Sequence, residues 1–232
     1  MQLKRIIEFI VFSNVWISLG AVGITLTTYF YTKSEVYLPV IILAFFSTLF
    51  GYSLQNISQR EINDHRSNQI LWSQSNNKLI KSMVFISFLI SLFLSLFIMN
   101  IYLIIFSIPF FGLVFFYRNT FSNKLQIRNI PFFKILIISF CWTWTCCVLP
   151  QLISNDIFNW NITFIIFTYV LAITIPFDIR DITVDKKIKT IPQFTGTRAA
   201  FIISQLSILC LFFFSFYLSN YLLCFFMIMT NL

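Results

Sequence analysis

Residues 178–187, Asp-Ile-Arg-Asp-Ile-Thr-Val-Asp-Lys-Lys, hold three of the chain's eight acidic side chains. Asp178, Asp181 and Asp185 recur at spacings of three and four. On a helix such residues share a face, so a helical segment would set Asp181 beside Asp185 with Asp178 one turn earlier. Carboxylates grouped in this way can hold a hard divalent cation through oxygen. The plainer alternative is a solvated loop, since Arg180, Lys186 and Lys187 lie in the same ten residues. Other reactive types are scarce. His65, the sole histidine, stands beside Asp64 in a polar stretch and reads as solvent-exposed. Asn155-Asp156 reads as a turn. Cys141, Cys146, Cys147, Cys210 and Cys224 lie inside apolar runs without CxxC spacing and read as small apolar filler.

The elements that must position the carboxylates are membrane helices. Of 232 residues 58% are hydrophobic, 31 are Phe and only five are Gly, with a mean hydropathy of +0.84, more apolar surface than a soluble core can hide. The first apolar run follows Lys4, Arg5 and Glu8 and has no small-residue cleavage site, which predicts a retained helix. Runs long enough to span a bilayer are predicted at about residues 9–31, 36–54, 131–152, 162–177 and 199–218. The block 82–117 is too long for one helix and divides near Asn100. Pro131 suits the first turn of its helix. Residues 219–232 form an eighth, partial helix at most, and the polar stretch 55–81 exceeds a hairpin turn. Within it, the Asn/Gln/Ser-rich residues 68–77 read equally as a flexible loop or a lid.

Charge supports this count. With the N-terminus inside, the cytoplasmic loops receive Arg60, Arg66, Lys78, Lys81, Arg118, Lys124, Arg128, Lys134, Arg180, Lys186, Lys187, Lys189 and Arg198, and the opposite side only Lys33. The net charge of +8 therefore serves topology and attraction to anionic lipid, and nucleic acid is not an expected partner. The polar stretch after the second helix and the acidic stretch after the sixth fall on the same side, which suggests two four-helix units in a single domain, 1–232.

The order of residues from Asp178 to Lys186, followed by Thr190-Ile191-Pro192 and Gly196, resembles the second aspartate-rich motif of the UbiA superfamily of intramembrane prenyltransferases. Tyr117, then Arg128-Asn129-Ile130-Pro131 and Lys134, with Trp142 in the next helix, is similar to the family's corresponding segment. The first motif departs from the family pattern. Gln55-Asn56-Ile57-Ser58-Gln59-Arg60-Glu61-Ile62-Asn63 keeps an Arg-Glu-Ile core, but the three family aspartates fall on Asn56, Gln59 and Asn63. An amide oxygen ligates a cation without charge, so this half loses roughly three negative charges.

The resemblance implies an all-α multi-pass bundle of about seven to eight helices around a central cavity, both motifs facing its cytoplasmic mouth. It implies transfer of a prenyl group from a polyprenyl diphosphate to a lipophilic acceptor, with Mg2+ neutralising the leaving diphosphate. On that basis Asp181 and Asp185 hold Mg2+ with Asp178 in support, and Arg66, Tyr117, Lys124, Arg128 and Lys186 join Asn56, Gln59 and Asn63 at the substrate. Trp142, Trp144 and Tyr169 are candidate cavity linings. The triple amide replacement leaves open a non-catalytic relative that binds an isoprenoid or another lipid. A transporter is a third class, because carboxylates in membrane proteins also mark ion paths. The Phe, Ile, Asn and Lys bias points to an AT-rich bacterial genome and an inner-membrane location.

Overall fold

A computed structural model describes residues 2–57, 67–117, 130, 132–154, 157–182 and 190–217. In order, the elements are α1 (Gln2–Phe12), α2 (Val15–Thr32), α3 (Leu38–Ile57), α4 (Ser67–Ser75), α5 (Asn77–Ile98), α6 (Ile101–Tyr117), α7 (Phe133–Thr143), a π-helical stretch (Trp144–Val148), α8 (Leu149–Ile153), α9 (Trp160–Arg180), α10 (Ile191–Thr195) and α11 (Thr197–Tyr217). The described residues contain no strand. Among the described residues six segments are long and apolar enough to cross a membrane, namely Val15–Thr32, Leu38–Ile57, Asn77–Ile98, Phe133–Ile153, Trp160–Arg180 and Thr197–Tyr217, with Ile101–Tyr117 a shorter apolar helix. Helices are the expected solution, since lipid offers no partner to backbone N–H and C=O groups. Hydroxyls within the spans turn back on their own helix, as Thr25 does to the Ala21 carbonyl (2.9 Å) and Ser95 to Ser91 (2.7 Å).

The chain divides into two compact units. The first comprises Met1–Leu26 and Val36–Leu125. Phe50 of α3 stacks on Phe111 of α6 at 5.9 Å between centroids and meets Phe88 of α5 at 5.5 Å, so one ring joins three helices. The division near Asn100 holds: α5 stops at Ile98, α6 starts at Ile101, and Asn100 Oδ1 accepts from the Leu103 N–H at 2.9 Å. The single helix expected at 9–31 is instead two. Asn14 adopts a left-handed conformation, φ 66°, which Asn tolerates better than most residues, and this separates α1 from α2. Two carbonyls at the break are met from α3: Asn56 Nδ2 donates to Phe12 (3.4 Å) and Ser53 Oγ to Ser13 (3.5 Å). Phe9 and Phe12 of α1 pack on Trp72 of α4.

The second unit comprises Thr27–Glu35 and Gln126–Leu232, so the last residues of α2 count with it. Here α9 packs against both α7 and α11. Two prolines shape this packing. Pro150 lacks the N–H that would bond the carbonyl of Cys146 four residues earlier, and the helix widens into the π-helical stretch just before it. Thr28 Oγ1 fills the gap, donating to Cys146 O at 3.0 Å. Pro176 in α9 likewise frees the Ala172 carbonyl, and Ser204 Oγ of α11 donates to it at 2.9 Å. Gln151 ties α8 to the start of α9, giving Nε2 to Thr163 Oγ1 (3.1 Å) and accepting at Oε1 from the Asn159 N–H (2.7 Å). Below the acidic end of α9, Ile135, Ile175 and Ala200 form a buried cluster flanked by Leu171, Ile179 and Ile191.

Candidate functional site

The end of α9 sits where four helices meet. Asp178 is the third-last residue of α9 and only 2% exposed. Its Oδ1 lies 2.5 Å from Nζ of Lys134, the second residue of α7, itself 8% exposed. Asp181 caps the helix, its N–H bonding the Phe177 carbonyl at 3.0 Å, and is 6% exposed. The Asp181 carboxylate accepts from Arg180 Nε at Oδ1, 2.9 Å, and the Arg180 guanidinium lies 5.2 Å from the centroid of the Phe177 ring. α9 therefore stops at Arg180, with Asp181 and Ile182 in a turn, and Asp185 lies outside the described residues.

The segment after the acidic stretch is built tightly. Thr190 is buried, its carbonyl receives the Gln193 and Phe194 N–H groups, and its Oγ1 has no hydrogen-bond partner among the described residues. Pro192 occupies the first turn of α10, where its missing N–H costs nothing. Gly196, at φ 85° and ψ 156°, takes a conformation that a side chain would strain, and so turns α10 directly into α11. Phe194 of α10 meets Phe132, just before α7, edge to face at 6.3 Å. The order Thr190, Pro192, Gly196 in the sequence thus corresponds to a short helix docked beside Lys134 and the end of α9.

In the first unit the amides near the end of α3 work as braces. Asn56 gives Nδ2 to the Phe12 carbonyl, and Gln55 Nε2 donates to Val114 of α6 at 3.1 Å. Gln55 Oε1 is buried without a partner among the described residues. Tyr117, the last residue of α6, is partly buried. Gln59, Asn63, Arg66, Lys124, Arg128, Asp185 and Lys186 lie outside the described residues, as do His65, Asp156 and the partial helix at 219–232. Among the described residues no group of three or more His, Cys, Asp and Glu side chains is gathered as a metal site.

Of the expected residues, the structure therefore brings Asp178 and Asp181 together on the end of α9. It adds the pairing of Asp178 with Lys134, a residue that the charge count places among the loop cations and the family resemblance places near the start of the 131–152 span. The signal was present in the sequence: Phe132-Phe133-Lys134-Ile135-Leu136 places one ionisable residue inside an apolar run, where such residues are costly and have a reason. Trp142 and Trp144 fall on α7 and at the start of the π-helical stretch, and Tyr169 is buried in α9. Between α9 and α11 runs a groove of about 560 Å³ lined mainly by apolar side chains such as Phe164, Ile203, Leu206 and Phe214, with Thr168, Ser207 and Cys210 among them and no charged residue.

No protein-family model matches the chain. No characterised protein matches it by sequence. Solved structures do match. A UbiA homologue from Archaeoglobus fulgidus, bound to GPP and Mg2+, superposes with a TM-score of 0.66 at 12% identity over 96% of this chain and 85% of the other. The same homologue bound to DMAPP and Mg2+ gives a TM-score of 0.64, again at 12% identity and over the same shares. The chain therefore has the UbiA fold.

Proposed function

We propose that this chain is an intramembrane prenyltransferase that moves a prenyl group from a polyprenyl diphosphate to a lipophilic acceptor. The observation that carries the reading is Asp181: a buried carboxylate at the C-terminal end of an apolar span, with Asp178 one turn behind it. The solved relatives with this fold bind GPP or DMAPP together with Mg2+. The residues at the end of α9 fit a hard cation, because the helix C-terminus adds negative partial charge to that of the carboxylates. Mg2+ bound there would neutralise the diphosphate as its bond to the allylic carbon breaks.

Asp181 and Asp185 are the carboxylates assigned to Mg2+. Asp178 belongs with Lys134, which already engages its Oδ1. Arg66, Lys124, Arg128 and Lys186 are assigned to the diphosphate oxygens, with Tyr117 beside them, since cationic donors stabilise a leaving diphosphate. Asn56, Gln59 and Asn63 contribute neutral donors and acceptors on the substrate side. The apolar spans exclude water from an allylic cation that water would otherwise quench. The whole chain, 1–232, acts as one membrane domain, with its motif loops facing the cytoplasm of a bacterial inner membrane.

The test is binding of geranyl diphosphate to purified protein as Mg2+ is titrated. Affinity unchanged by Asp181→Ala with Asp185→Ala would refute the assignment. A second reading, a non-catalytic protein of the same fold that binds an isoprenoid, is favoured by Asn56, whose Nδ2 donates to a backbone carbonyl as no carboxylate can. Prenyl transfer by the purified protein, lost on Asp185→Asn, would exclude it.

A further inference from the structure

The Lys134–Asp178 pair has the wrong polarity for the helices that carry it. Lys134 is the second residue of α7, at the end where a helix carries positive partial charge. Asp178 is the third-last residue of α9, at the end where the partial charge is negative. Each side chain is disfavoured by its own helix. The reverse arrangement, Asp at 134 and Lys at 178, would keep the ion pair and satisfy both ends. Both groups are buried, so solvent does little to screen these terms.

Something other than stability therefore fixes the polarity, and the neighbouring residue supplies it. Asp178 and Asp181 are three apart at the end of one helix, hence on one face. A lysine at 178 would reach Asp181 and neutralise it. An aspartate at 178 adds negative charge one turn from Asp181, while Lys134 engages its Oδ1. Arg180, the cation paired with Asp181, has a side chain 57% exposed, whereas Lys134, paired with Asp178, is enclosed.

We infer that Lys134 and Asp178 are positioning residues whose polarity is set by a cation site at Asp181: the fold sacrifices helix-dipole stability to keep negative charge one turn from that carboxylate. The inference rests on the proposed function, because it is the Mg2+-supported binding of a diphosphate that gives Asp181 its use.

The experiment compares wild type, the swap Lys134→Asp with Asp178→Lys, and Lys134→Arg as purified full-length protein. It measures the thermal midpoint and the Mg2+ concentration that half-supports geranyl diphosphate binding. The swap is expected to melt at or above the wild-type temperature. It is also expected to need at least about tenfold more Mg2+, because two charge units have changed sign near the site. Lys134→Arg, which keeps the charge, is expected to stay within about threefold of wild type in Mg2+ requirement. A swap with an unchanged Mg2+ requirement overturns the inference. So does a swap that loses its cooperative melting transition, because stability would then be what the native polarity serves. Wild type that binds no geranyl diphosphate at any Mg2+ concentration removes the functional reading, and the inference falls with it; wild type that binds beside an unaltered swap removes the inference alone.

Discussion

Ser204 and Pro176 are coupled through a carbonyl that neither contains. Pro176 removes the helical donor to Ala172 O, and the Ser204 hydroxyl replaces it from α11 at 2.9 Å. The same exchange occurs at Pro150, where Cys146 O is taken by Thr28 Oγ1 at 3.0 Å. Each proline thus frees an acceptor that a neighbouring helix uses, which converts a helix defect into a tertiary contact.

Ser204→Ala should cost about 1–3 kcal/mol, the penalty of a buried acceptor left unsatisfied. Pro176→Ala restores an N–H to the helix, so Ser204→Ala should cost clearly less in that background. Thermal melting of the four proteins in a double-mutant cycle measures the coupling. Equal costs in both backgrounds would show that the Ser204 bond does not depend on the proline.

Gln151 offers a second check on the same unit. Its side chain is 2% exposed, donates to Thr163 Oγ1 and accepts from the Asn159 N–H at the start of α9. Gln151→Leu keeps the bulk and strands that N–H. A loss of about 2–4 kcal/mol is expected, with Gln151→Glu intermediate because it keeps the acceptor while burying charge. Hydrogen exchange at Asn159 should accelerate in the leucine variant, and protection equal to wild type would contradict the network.

The sequence made the membrane class and most span boundaries legible, because apolar run length and Lys/Arg placement are strong local signals. Asn100 marked the α5–α6 junction correctly for that reason. The break at Ser13–Asn14 was hidden, since it interrupts no apolar run and depends on α3, forty residues away, supplying Ser53 and Asn56 to free carbonyls. The π-helical stretch was hidden too, although Pro150 announced it. At the candidate site, Asp178 and Asp181 were found from spacing, but the spacing could not say that α9 stops at Arg180. Lys134 falls within the predicted span 131–152 as well as among the cations counted for a loop, but nothing in its own neighbourhood names Asp178, 44 residues on, as its partner.

Asn56→Asp tests whether the first motif needs only its charge restored. The present amide donates to Phe12 O, whereas an ionised carboxylate would face that carbonyl as a second acceptor. The substitution is expected to destabilise the first unit by about 1–2 kcal/mol. Mg2+-dependent diphosphate binding should not tighten, because positions 59 and 63 still carry amides. A single substitution that tightens binding without loss of stability would mean that Asn56 is an idle ligand position and not a brace.

Lys134→Met should be among the most damaging single changes in the second unit, because it leaves Asp178 charged and enclosed. Breaking a buried pair from one side costs about 3–5 kcal/mol. Adding Asp178→Leu removes the stranded charge and offers side chains that pack on the Ile135, Ile175 and Ala200 cluster just beneath. The double variant should regain most of the lost stability, because desolvation offsets much of what a buried pair contributes. Melting temperatures of the two variants decide the point. A double variant no more stable than the single would mean that the pair holds α7 to α9 by its own attraction, and that the apolar cluster contributes little to that joint.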